Sequence, residues 1–273
     1  MKTTSHPNPT PSGVLGTVAK LIRLTEKENV EWSHWQHPTN NVTARRNLAK
    51  YLQRGCPKMG DNGEVVQTRL PEGYELARLI LGDDFLTPEE VAIAYGFSYS
   101  DEQLEHFANT LPDIRNIFRY RDEGFLLMPR PHREMNLLEV REFDNKLFSP
   151  EVEGWYSADN QTFSRDDKVV AGEWLAIRKE AVPNSFSKTW NGQQDLITED
   201  KHVPNAPTAS YAVTAYLKVR GIYLLCAQYV RTSSVSVDHH HVIVGYTKIG
   251  RLKIDHSDDD CRYGDVGILS ALN

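Results

Sequence analysis

The sequence is short of cysteine, of basic charge and of long apolar runs. Its three cysteines, Cys56, Cys226 and Cys261, are odd in number and widely spaced. They offer neither a disulfide framework nor a zinc site of the CxxC kind. Lys and Arg number 31 against 37 Asp and Glu, a net charge of -6. No net basic field therefore makes nucleic acid the main partner. No run approaches the length of a membrane span, so membrane insertion is not expected. The opening residues MKTTSHPNPTPSG lack the apolar core of a signal peptide, which leaves a cytoplasmic location as the default expectation. GxSxG, Walker, GxGxxG and HExxH patterns are all missing. That lack of catalytic grammar points to a binding protein rather than an enzyme.

What is present is ordinary globular material: 273 residues, 40% hydrophobic and 25% charged. This suffices for one large or two modest domains. The most informative stretch runs from Tyr229 to Asn273. Short apolar pieces, Val242-Ile243-Val244, Leu252-Lys253-Ile254 and Val266-Gly267-Ile268-Leu269, alternate with polar or ring-bearing clusters. The apolar pieces have strand length, and Gly245, Gly250, Gly264 and Gly267 punctuate them. The clusters His239-His240-His241, Asp255-His256-Ser257 and Asp258 through Tyr263 then fall on loops or strand edges at one end of a sheet. A rigid sheet carrying exposed loops is a common way to build a binding surface.

The ending, Arg262-Tyr263-Gly264-Asp265-Val266-Gly267-Ile268, resembles the tail of C-type-lectin-like domains of the formylglycine-generating-enzyme type. It looks most like the variable proteins of diversity-generating retroelements, whose C-terminal segment is rewritten by mutagenic reverse transcription. The tails of such proteins are usually rich in Trp and Asn, whereas the segment after Gly250 has no Trp and only Asn273. An adenine-directed mutagen acting on AAC or AAT codons can yield the residues at His239, His240, His241, Tyr246, Asp255, His256, Ser257, Cys261, Tyr263, Gly264 and Asp265. It cannot yield Lys248 or Lys253. The resemblance thus implies a variable ligand-binding face made of those eleven residues. Its ligand would be a macromolecule or a glycan, bound without catalysis. Rings, small residues and acids together also suit an adaptable paratope.

The same residues admit other chemistry. Three consecutive histidines on a strand cannot all converge on one ion, because neighbours face opposite ways. His239 and His241 could share a face, joined by Asp238 or Asp255, and a metal-dependent enzyme is the first alternative. Asp258-Asp259-Asp260 invites calcium, which needs six to eight oxygens. The EF-hand spacing is missing, and aspartates that make turn hydrogen bonds are the favoured reading. No metal or other cofactor is expected. Cys261 lies near Arg262 and His256, but the paired cysteines of the formylglycine-generating enzymes are missing, so no catalytic residue is assigned.

Upstream, residues 1–13 read as a disordered lead. Residues 14–132 read as a helical region, and 133–273 as the C-type-lectin-like domain. The cluster from Trp32 to His37 reads as aromatic packing, and Thr43 to Gln53 as a helix. Later helices are expected over residues 72–81, after the capping boxes Thr87-Glu90 and Ser100-Gln103, and from Pro112. Phe125 to Met128 reads as a strand, and Pro129-Arg130-Pro131-His132-Arg133 as a linker. A DNA-binding regulator using residues 43–118 is the second alternative, weakened by the acidic Asp101, Glu102 and Glu105. Beyond the linker, a helix over Leu137–Phe148, a strand over Trp174–Arg178 and a helix over Thr189–Ile197 are expected. Thr208–Arg220 reads as a buried helix capped by Gly221, and Tyr223–Val230 as a central strand. The order predicts an α+β fold.

Overall fold

Phe125-Leu126-Leu127-Met128 is apolar at consecutive positions, the pattern of a strand buried on both faces. A computed structural model, which describes residues 72–149 and 155–273, places it so. The chain runs through helices α1 (Gly73–Leu81), α2 (Pro88–Tyr95), α3 (Asp101–Asn109) and α4 (Ile114–Glu123) into strand β1 (Phe125–Pro129). Then come α5 (Leu137–Glu142), α6 (Phe163–Asp166), β2 (Trp174–Arg178), α7 (Trp190–Gln194), β3 (Lys201–His202) and α8 (Ala206–Arg220). The rest is strand: β4 (Tyr229–Val235), β5 (His241–Tyr246), β6 (Leu252–Ser257), β7 (Val266–Ile268) and β8 (Ala271–Leu272). Helices and sheets mix in an α+β fold. The lead expected over residues 1–13, the Trp32–His37 cluster, the helix expected at Thr43–Gln53, and Cys56 lie outside the described residues.

Among the described residues two sheets form, in the orders β1-β2-β8-β3 and β6-β5-β4-β7. In the first, Leu126, Met128, Leu175 and Ile177 face the main core, while Phe125, Leu127 and Ala176 face a second cluster with Ala77, Leu81, Phe85 and Ile117. Helix α8 lies on one face of the second sheet, and Ala206 through Tyr216 are all buried. Asn205 caps its start by accepting from Thr208 N, and Gly221 ends it in the left-handed region. A helix buried all round has no need of an amphipathic stripe. The capping boxes at Thr87 and Ser100 both form.

The boundary expected at 132 falls inside a single compact unit, Leu70–Asn273. The supposed linker is bound on every side. Pro129 pairs with Trp174, and Arg130 N donates to Glu173 O at 2.8 Å. Tyr211 Oη donates to Pro129 O at 3.1 Å, and Tyr99 Oη to Arg130 O at 2.7 Å. The prolines there end a strand rather than open a hinge.

The strand expected over 223–230 starts only at Tyr229. Leu225 (φ 53) and Ala227 (φ 56) are left-handed, so the chain before Tyr229 is irregular and meets β5 through a single Cys226–Tyr246 bridge. Gly245 allows this close approach, since a Cβ there would sit 2.0 Å from Gln228 O.

Candidate functional site

Register decides which way each predicted site residue faces. In the second sheet Val230 pairs with Val244, Val242 with His256, and Tyr246 with Leu252. These residues, apart from His256, belong to the main core under α8. Paired residues share a face, so Arg231, Ile243 and Asp255 form a row on the opposite, outer face, with His241 beside Ser257 and Gly245 beside Lys253. The predicted residues therefore divide between two sides.

Tyr246 is fully buried, and its hydroxyl lies 3.4 Å from Val213 O. It is a core residue and leaves the proposed face. Ser257 leaves it as well: it is 6% exposed, and its Oγ accepts from Arg231 at 3.1 Å. Codon accessibility carries no information about burial, so it cannot separate these two from the exposed residues.

His239, His240 and His241 take three different positions. His239 sits in the β4–β5 turn with φ 63, a conformation His tolerates better than most side chains. It is exposed. His240 leans toward the core side of the sheet end, its ring 5.7 Å from that of His256, which meets Trp155 edge-on at 5.1 Å. His241 opens β5 on the outer face. Its ring stacks on Trp190 with centroids 3.5 Å apart, and Nδ1 donates to Asp259 Oδ2 at 2.7 Å. Burial pulls the His241 pKa below 6.5, against the pull of Asp259. At neutral pH the pair is a hydrogen bond between a neutral ring and a carboxylate.

The connection from β6 to β7, residues 258–265, crosses the sheet from one edge strand to the other. Cys261 is half-buried, whereas Tyr263, Gly264 and Asp265 are exposed. A hydrogen bond with Cys261 raises the Tyr263 pKa. Asp258 Oδ1 accepts from Asp260 N at 2.9 Å, which holds its carboxyl below the usual range. Such a turn is what consecutive aspartates form without metal. Asp255 is half-buried and pairs with Lys253 at 2.7 Å, whose ammonium lies 5.8 Å from the Tyr229 ring centroid.

Beneath the crossover lies Arg231, fully buried. It donates to Gln193 Oε1 at 2.9 Å, Ser257 Oγ at 3.1 Å, and the main-chain oxygens of Lys188 (3.2 Å), Asp258 (2.7 Å) and Cys261 (3.2 Å). Sequence reasoning missed Arg231, Trp190, Tyr229 and Lys253. For Arg231 a signal existed: it is the one charge in Tyr229–Val235, a strand otherwise fit for burial.

No group of three or more His, Cys, Asp or Glu among the described residues could hold a metal ion. His239 and His241, the pair suggested for a metal enzyme, are separated by the turn and by the engagement of His241 with Trp190 and Asp259. No helix among the described residues is long and apolar enough to cross a membrane. No family model, curated protein or solved structure matches the chain.

Proposed function

We propose that the chain is a non-catalytic ligand-binding protein of receptor or adhesion type. Its C-terminal surface, on a C-type-lectin-like frame, is diversified by retroelement mutagenesis. The observation that carries this reading is the division of labour within residues 229–265. Val230, Val242, Val244, Ile254 and Val266 are buried, while His239, Tyr263, Gly264 and Asp265 stand exposed on a turn and a crossover. Residues so placed can change at little cost to stability. The face comprises His239, His241, Asp255, Cys261, Tyr263, Gly264 and Asp265, with Trp190, Tyr229 and Lys253 beside them, while His240 and His256 lie on the core side of the sheet end and leave it. Rings with small polar neighbours suit a macromolecular or glycan ligand.

The gene provides the first test. A near-copy of the coding segment for residues 235–270 should lie beside a reverse transcriptase gene and differ only at its adenines. Lys248, Lys253, Val242 and Val244 should be unchanged in it. Flanking DNA without such a repeat would sink the diversification. At the protein level, changing His239, Tyr263 and Asp265 together to Ser should abolish retention on whichever member of a glycan and protein panel the native chain binds. The unfolding midpoint should hardly move.

A further inference from the structure

The crossover between β6 and β7 is tied down almost entirely through its own main chain. Arg231 donates to Asp258 O and Cys261 O. Trp190 N donates to Asp259 O at 2.8 Å, Ser187 N to Tyr263 O at 2.8 Å, and Tyr229 N to Asp265 O at 2.9 Å. None of these bonds depends on which side chain the crossover residue carries. Among the described residues, the crossover's side-chain tie to the sheet is the Asp259 carboxylate on His241, at Nδ1 and at N (3.1 Å). The donors come from three separate places: β4, the loop before α7, and α7 itself.

We infer that Arg231 is the positioning residue of the proposed face, and that it and the amides of Ser187, Trp190 and Tyr229 form a frame holding residues 258–265 in one path whatever side chains stand at positions 260, 262, 263 and 265. A buried guanidinium is a costly choice unless its donors are used, and both terminal nitrogens of Arg231 are, while Nε is buried without a partner. The planar fork presents five donors in a fixed geometry that spans several carbonyls, where a Lys ammonium would offer three from a single point. Gln193 orients it from below, with Nε2 also donating to Ser185 O at 2.8 Å and Val266 O at 2.9 Å. The frame gives the proposed variable surface a fixed backbone on which to change sequence. This rests on the functional reading of that surface, although the frame itself is tested without any ligand.

Amide hydrogen exchange on the full-length chain is the test. In a chain with Asp260, Arg262, Tyr263 and Asp265 all changed to Ser, protection at Ser187, Trp190 and Tyr229 should stay within about twofold of the native chain, since their acceptors are main-chain oxygens. In Arg231→Gln, exchange at Trp190, Cys261 and neighbouring crossover amides should rise by roughly tenfold or more, with the amides of Val242 and Val244 unchanged. Loss of protection in the four-residue variant would overturn the inference, as would uniform loosening of the sheet in Arg231→Gln. If Arg231→Gln does not fold, the four-residue variant alone decides. A chain that binds no ligand yet shows the expected exchange would defeat the functional reading and leave the frame standing.

Discussion

His241 shows how much one residue's surroundings decide. Its ring lies between Trp190 and the Asp259 carboxylate. Burial, the largest influence, lowers its pKa; Asp259 opposes, and Arg231 and His240 lower it further. The folded pKa is below the unfolded one, so the unfolded chain takes up a proton first as pH falls. The contribution is whole above the unfolded value of 6.5 and is lost as pH drops from there through the folded value. His132 and His202 are depressed in the same direction, each chiefly by burial. The thermal midpoint should therefore fall between about pH 7.5 and pH 5.5, and His241→Gln should flatten that slope. A midpoint insensitive to pH over that range would show that the folded chain takes up protons as readily as the unfolded one, against the depressed histidines. The triple histidine is legible in the sequence as a cluster. Its separation into three environments is not, because it depends on the left-handed φ of His239 and on Trp190, fifty-one residues away in the chain.

Helix ends are where local chemistry and final structure agree best. Thr87 with Glu90, and Ser100 with Gln103, bond reciprocally as their spacing demands. Strands fared unevenly: β2 matches its expected range, while β3 and β8 are two residues each. They exist only because distant partners pair with them, which no local pattern reveals. Helix α8 is legible as buried, but its last turn is not. A helix buried over all of Thr208–Arg220 would put Leu217 against the sheet; the continuous burial ends at Tyr216, and Leu217 is half-buried at the edge of the core. Leu217→Ala should accordingly cost about 1–2 kcal/mol, below the 2–5 kcal/mol typical of full burial. Asn205→Ala, which removes the cap, should cost about 1 kcal/mol. Urea unfolding measures both, and a larger loss for Leu217 than for a fully buried residue such as Tyr246→Ala would contradict this placement.

At the scale of the molecule, sheet pairing overrides the domain division that composition implies. A Pro- and Arg-containing segment between a helical half and a strand-rich half reads as a linker, yet long-range pairing cannot be seen from local composition. Strand β1 supplies five paired residues to β2, and Leu86, Val91, Tyr95, Leu126 and Met128 pack in the same core as α8 and the second sheet. Tyr95 Oη bonds Tyr211 O at 3.1 Å and Thr214 Oγ1 at 2.6 Å inside α8. Cutting the chain after residue 132 would strip β2 of its neighbour and expose one side of α8. Each large core side chain lost costs about 2–5 kcal/mol, against a total stability of about 5–15 kcal/mol for a domain. Removing Leu86, Val91, Leu126 and Met128 alone would cost about 8–20 kcal/mol, as large as that margin. Residues 133–273 made alone should be unfolded or aggregated, without near-ultraviolet circular dichroism or a cooperative thermal transition. Residues 70–273 should show both. A cooperative transition in the shorter fragment would mean that the strand-rich half carries its own core, and that β1 and its helices are an accessory layer rather than part of the fold.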